Sequence, residues 1–115
     1  CGMAPKLNYV IVFVVGMGEA VKFYRDTLGL KLKFESPDWS EFSTGETTLA
    51  LHLSSGQNPP GKVEPGFGVE NIHQFHAEMT AKGVRFLMPP TKQDFGVTLA
   101  QMQDRDGTVW SVSGP

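Results

Sequence analysis

The chain has 115 residues, of which 40% are hydrophobic and 19% charged, a composition that suits one globular domain able to bury a core. Its formal net charge of −2 comes without any Lys/Arg cluster, which argues against nucleic acid or an anionic membrane as a partner. Cys1 is the sole cysteine, so an internal disulfide and a thiolate zinc cluster are both excluded.

Cys1-Gly2 stand ahead of Met3-Ala4-Pro5 and read as a remnant preceding a natural start, so they are left out of the fold reasoning. The apolar run Tyr9–Val15 is too short to span a bilayer and lacks the flanks of a signal peptide. A cytoplasmic protein is the expectation.

Tyr9–Val15 is β-branched, aromatic and almost continuously apolar, the pattern of a strand covered on both faces. Gly16 and Gly18 bend the chain. Met17, Val21, Tyr24 and Leu28 then recur at helical spacing, with Ala20 and Phe23 beside them, and Gly29 stands where a left-handed C-terminal cap is wanted. Leu30–Glu35 alternates apolar and charged residues, as a half-exposed strand does. Ser36-Pro37-Asp38 is a turn, Trp39–Ser43 a third strand and Thr47–Leu53 a fourth. Period-two alternation puts Leu49, Leu51 and Leu53 on one face of that strand and Thr48, Ala50 and His52 on the other. Ser54–Gly61 is turn-rich and reads as a connection between halves.

The order then repeats. Glu64–Val69 is predicted as a strand. Asn71 is a candidate N-cap for a helix whose buried stripe is Ile72, Phe75 and Met79, and Gly83 closes that helix. Val84–Met88 is a strand expected to break at Pro89-Pro90. Val97–Gln103 and Val109–Ser113 come next, separated by the turn Asp104–Gly107. Val12, Val14 and Met17 align with Phe67, Val69 and Ile72 at an offset of 55, and Gly29 with Gly83 at 54. The chain is therefore predicted to be an α+β domain spanning 1–115, built of two βαβββ modules at about 6–54 and 63–113 with a linker at 55–62.

The residues that carry a family likeness are Val12–Val14 leading into Ala20–Gly29 (AVKFYRDTLG), then Gly66–Ile72 (GFGVENI), Ala81–Val84 (AKGV) and Asp104–Gly107 (DRDG). In this order they resemble the vicinal oxygen chelate superfamily, which includes glyoxalase I, bleomycin- and fosfomycin-resistance proteins and extradiol dioxygenases. The resemblance implies two βαβββ modules curled into an incomplete barrel around a cleft, with the helices outside. It also implies a homodimer, and a cleft formed either within one chain or between swapped chains. In relatives that use a metal, ligands from the first and fourth strands of each module hold a divalent ion that polarises substrate oxygens.

Carried onto this sequence, those positions are Tyr9, His52, Glu64 and Ser111. His52 and Glu64 are ordinary ligands for a first-row metal, and the other two are not. No functional metal and no other cofactor is expected; if a metal binds, His52 and Glu64 are its candidate ligands. His52 is read as a cleft residue that hydrogen-bonds a ligand or Tyr9. A pairing of His52 with Glu64 is the alternative, and it would supply acid–base capacity. His73 and His76, three apart on a helix the family places outside the sheet, are read as surface residues.

Given that ligand positions face inward, alternation puts Tyr9, Ile11, Phe13, Ala50, His52, Glu64, Gly66 and Ser111 in the cleft and sends Trp110 and Val112 to the helix side. Trp39 and Phe42 flank turns and are placed at the rim. Phe95 stands in a loop that could close over a planar molecule, or else anchor that loop to the core. An apolar, aromatic pocket with few polar groups suits a small-molecule ligand. No nucleophile elbow and no phosphate loop is present.

Three functions remain. The first is a binding protein of the bleomycin-resistance type that sequesters a planar or aromatic ligand, without metal or chemistry, as in antibiotic resistance. The second is a metal-dependent lyase, isomerase or dioxygenase of the glyoxalase type. The third is a metal-free acid–base enzyme using His52 and Glu64. The reduced ligand set favours the first, which leans against an enzyme but leaves a glyoxalase- or dioxygenase-type lyase or oxidoreductase as the form that catalysis would take.

Overall fold

The structure is a computed structural model and describes residues 4–93 and 96–115. The expected α+β fold of two βαβββ modules is observed. The first module comprises β1 (Lys6–Val14), α1 (Met17–Lys22), β2 (Lys31–Glu35), β3 (Trp39–Ser43) and β4 (Thr48–Leu53). The second comprises β5 (Val63–Gly68), α2 (Ile72–Ala81), β6 (Arg85–Lys92), β7 (Thr98–Gln103) and β8 (Val109–Gly114). The chain divides into two compact units, Asn8–Glu64 and Pro65–Pro115, the second joined by the start of β1. Among the described residues no helix is long and apolar enough to cross a membrane.

In the first unit the strands run in the order β2-β3-β4-β1. β1 lies parallel to β4, while β3 is antiparallel to both β2 and β4. Because side chains alternate across a strand, register fixes two faces. One face carries Val12, Val14, Leu49, Leu51 and Leu53, which pack with Met17, Val21 and Tyr24 of the helix around a core of Met17, Val21, Phe42 and Leu51. The other face holds a second cluster of Ile11, Phe13 and Ala50, flanked by Tyr9 and Trp39.

The helix departs from the uniform pattern read in the sequence. α1 runs on into a π-helical turn, Phe23–Thr27, closed by the Leu28 N–H donating to the Phe23 carbonyl at 3.0 Å. A bond reaching back five residues inserts one extra residue into the turn and rotates the residues beyond it off the helical stripe. Leu28 is accordingly exposed, whereas Tyr24 stays packed on the core. Gly29 reverses the chain at a φ of 78°, a conformation that favours glycine.

In the second unit the order is β5-β8-β7-β6, with β5 parallel to β8 and the other pairs antiparallel. The Asn71 side chain caps α2, accepting from the Gln74 N–H at 3.0 Å, and Gly83 lies just past the helix at a φ of 92°. Ile72, Ala100 and Val112 are fully buried and form the core with Val69, Phe75, Phe86 and Met102. Trp110 stacks on Phe67, the ring centroids 4.3 Å apart. His73 is exposed, and His76 meets the face of Phe86 edge-on at 4.6 Å.

The expected break at Pro89-Pro90 does not occur, because β6 runs through both prolines. Two features of the strand explain this. β6 is the last strand in its module's order, and its pairing with β7 skips from Met88↔Gln101 to Thr91↔Leu99, an irregularity that spans both prolines. Proline lacks only a donor, and an edge strand at a bulge does not require one there.

Candidate functional site

The site is built on the first unit, on the sheet face opposite α1. The β1–β4 register sets Phe13 beside His52, and the β3–β4 register sets Trp39 on the other side of His52. The three side chains therefore form one row across β1, β4 and β3. His52 lies 5.3 Å from Phe13 with its ring tilted by 50°. It is 5.8 Å from Trp39, edge to face at 86°. Phe13 is 4% exposed, Trp39 is half-buried and His52 is exposed. The row is thus rooted in the core at one end and open at its centre. Behind it runs the row Ile11, Ala50 and Glu41, then Tyr9, Thr48 and Ser43.

His52 Nδ1 is 2.8 Å from the Leu53 carbonyl oxygen. A carbonyl only accepts, so Nδ1–H is the donor, and Nε2 of the neutral ring is left as an acceptor. This bond goes neither to Tyr9 nor to Glu64. Glu64 itself is buried, at 6% exposure.

The expected site residues separate into groups. Tyr9, Ile11, Phe13, Ala50, His52 and Trp39 share one face of the first unit's sheet. Trp39 belongs to the row itself rather than to a rim. Phe42 does not join them. It lies fully buried on the helix side, its ring 5.8 Å from that of Tyr24. Trp39 and Phe42 are three apart in one strand, an odd separation that sends them to opposite faces. In the second unit Gly66 and Ser111 are register partners and both are buried. With Gln101, the partner of Ser111 in β7, they make a small, polar row. Phe95 lies outside the described residues.

Two residues were missed. Glu41 Oε2 accepts from the Trp39 indole N–H at 2.8 Å, and the other carboxylate oxygen, Oε1, lies 3.8 Å from Lys33 Nζ, so both ends of the carboxylate are held beside the indole. Lys62, within the predicted linker, brings Nζ to 5.9 Å from the Phe13 ring centroid. Glu41 was legible as the neighbour of Ala50 once β3 and β4 are paired. Nothing periodic marks Lys62.

Two carboxylates outside the row are held low by hydrogen bonds. Asp104, in the β7–β8 turn, is held below the ordinary carboxylate range mainly by the Thr108 backbone N–H. Asp26 is held low by its hydrogen bond from Arg25. A shallow depression of about 350 Å³ beside the start of α1 is lined by Met17, Gly18, Glu35, Ser36 and Pro37, none of them in the row.

The positions at which the resemblance implies a metal offer one imidazole, one carboxylate and two hydroxyls. Among the described residues no group of three or more His, Cys, Asp or Glu gathers to hold an ion. Two good donors rarely bind a first-row divalent metal tightly, and neutral hydroxyls are poor ligands for it. The residues present do not fit the family's metal.

No curated protein matches the chain in sequence. Solved structures match its fold along nearly its whole length. A hypothetical protein from Bacillus halodurans C-125 has a TM-score of 0.81 at 19% identity, covering 98% of this chain and 96% of the other. The NAD-dependent benzaldehyde dehydrogenase from Legionella pneumophila gives 0.78 at 22% identity, covering 93% and 97%. Methylmalonyl-CoA epimerase from Mycobacterium tuberculosis gives 0.78 at 14%, covering 98% and 92%. At these identities the likeness is one of fold. The sequence profile of one family matches residues 6–112, and on that match the chain belongs to the Glyoxalase/Bleomycin resistance protein/Dioxygenase superfamily.

Proposed function

We propose that the chain is a small-molecule-binding protein that holds a planar or aromatic ligand against the Phe13–His52–Trp39 row, without a full metal site and without chemistry on the ligand. The row carries the reading. Three ring-bearing side chains are aligned on adjacent strands by backbone register, and the central one is exposed. Aromatic rings gain from stacked or edge-to-face partners beyond their buried area. His52 adds one acceptor to fix orientation. The family background extends the reading to a homodimeric, cytoplasmic protein that sequesters its ligand as resistance proteins do.

The test is a thermal-shift screen of wild type and His52→Ala with planar antibiotics and aromatic metabolites. A ligand that binds only the native state must raise the melting temperature. A shift in wild type that shrinks in His52→Ala is expected. No shift with any compound removes the reading. Near-stoichiometric metal in protein purified without chelator, lost in His52→Ala, would replace it with the metal-dependent lyase, isomerase or dioxygenase.

One observation favours a second reading, metal-free acid–base catalysis by His52 and Glu64. Glu64 is a buried carboxylate, and a carboxylate is rarely buried without a partner or a role. Turnover of any compound that binds, abolished by Glu64→Gln with binding retained, would establish it.

A further inference from the structure

Lys62 stands at the edge of β1 that β4 does not occupy, and the backbone fixes it there. The Phe13 N–H donates to the Lys62 carbonyl at 3.0 Å, and the Gly61 N–H donates to the Phe13 carbonyl at 3.0 Å. Both main-chain groups of Phe13 are thus tied to the Gly61-Lys62 segment, so the lysine is registered to the ring it overlies. Its Nζ sits 5.9 Å from the Phe13 centroid and donates to Asn58 Oδ1 at 2.7 Å.

The side chain is half-buried, yet its partners are an amide oxygen and a ring face, both uncharged. Among the described residues the ion pairs join Arg25 to Asp26 and Lys33 to Glu41, and Lys62 is in neither. An ammonium has three N–H donors, and a partly desolvated cation without a counter-anion carries a cost that an incoming anion removes. At the opposite end of the row the Trp39 indole is held by Glu41, whose carboxylate already has Lys33 Nζ 3.8 Å away. A ligand lying along Phe13, His52 and Trp39 would therefore meet, at its Phe13 end, a cation that neither of those ion pairs engages.

We infer that Lys62 is the anion-recognition group of the site, and that the ligand is a planar aromatic acid whose carboxylate points toward the Phe13 end. The inference rests on the planar-ligand reading above and narrows it to one chemical class.

The test uses matched pairs of planar aromatic carboxylates and carboxamides, from benzoate and benzamide to 2-naphthoate and 2-naphthamide, titrated calorimetrically into the full chain. Wild type is expected to prefer the carboxylate by at least roughly tenfold, the scale of a hydrogen bond to a charged group. Lys62→Met should erase that preference by weakening the carboxylate alone, and Lys62→Arg should retain most of it. Equal affinity for the two members of each pair in wild type overturns the inference and leaves the planar reading standing. So does equal weakening of both members by Lys62→Met, which would make Lys62 a pin for the connection only. If no pair binds at all, the planar reading falls and takes the inference with it. Should Lys62→Met not fold, salt decides in wild type: raising it from about 0.05 to about 0.5 M must weaken the carboxylate and spare the carboxamide.

Discussion

Trp39 and His52 face each other across the β3–β4 ladder with their rings edge to face, 5.8 Å apart. Cross-strand pairs are the unit from which a sheet face is stabilised, but this pair is unevenly buried. His52 is exposed while Trp39 is half-buried. Losing the imidazole should therefore cost little stability. His52→Ala is expected to change the unfolding free energy by less than about 0.5 kcal/mol, as exposed substitutions do. It should also lower ligand affinity by roughly tenfold, the scale of one aromatic contact with one hydrogen bond. Urea denaturation and calorimetry on the same variant separate the two effects. A large loss of stability with unchanged affinity would mean that the row is structural.

How much of this was legible depends on which regularity each residue obeys. Alternation placed Leu49, Leu51 and Leu53 against the helix and Ala50 and His52 opposite, and register agrees. The same rule, applied inside Trp39–Ser43, separates Trp39 from Phe42. Judging both by their nearness to turns hid that. The Asn71 cap was readable because capping is local chemistry. The π-turn was not, because Phe23–Thr27 carries good helical spacing and the extra residue appears only in the hydrogen bonds. Continuity of β6 through two prolines depended on its place at the end of a sheet order, a property of the whole fold. Lys62 depended on where a turn-rich connection returns to β1, and composition does not encode that.

Ser40 and Phe42, two apart on β3, should respond with opposite sign. Both are fully buried on the helix side. Phe42 fills the core with Leu51 and Val21, so Phe42→Ala should cost about 3–5 kcal/mol through lost burial and a residual cavity. The Ser40 hydroxyl, among the described residues, has no hydrogen-bond partner, and a buried unsatisfied hydroxyl is a penalty. Ser40→Ala should therefore stabilise by about 1 kcal/mol in urea denaturation. A loss of stability instead would show that the hydroxyl is satisfied in solution.

Gly114 and Gly83 separate crowding from backbone conformation. A Cβ on Gly114 would lie 2.4 Å from the Val69 carbonyl oxygen, and that backbone is fixed by the Val69 N–H donating to the Ser113 carbonyl at 2.9 Å. Gly83 has open space around it but a φ of 92°. Gly114→Ala should cost roughly 1–3 kcal/mol by overpacking, and Gly83→Ala about 1 kcal/mol or more by strain. Gly83→Asn should recover part of its loss, since asparagine tolerates a positive φ. Gly114→Asn should recover nothing. Equal recovery at both positions would rule out the steric account of Gly114.

Asp104 gives the fold a predictable acid response. Its Oδ1 accepts from the Thr108 N–H at 2.9 Å and the Asp106 N–H at 3.0 Å, which closes the β7–β8 turn ahead of Gly107. The Thr108 bond is the chief cause that holds the carboxyl below its ordinary value of 3.8, because a hydrogen bond to the charged form favours that form. A group whose pKa is lower folded than unfolded contributes stability that is complete above the unfolded value and is lost as pH falls through the folded value. Asp104→Asn keeps the shape and one acceptor oxygen but removes the charge. The variant should be less stable than wild type at pH 7, and the difference should close steadily as pH is lowered from about 5 to about 2. Because Asp26 is also held low, wild type alone would show a mixed acid response. The wild-type-minus-variant difference isolates Asp104. A difference that stays constant across that interval would mean that the turn is held by geometry alone and that the carboxylate charge contributes nothing to it.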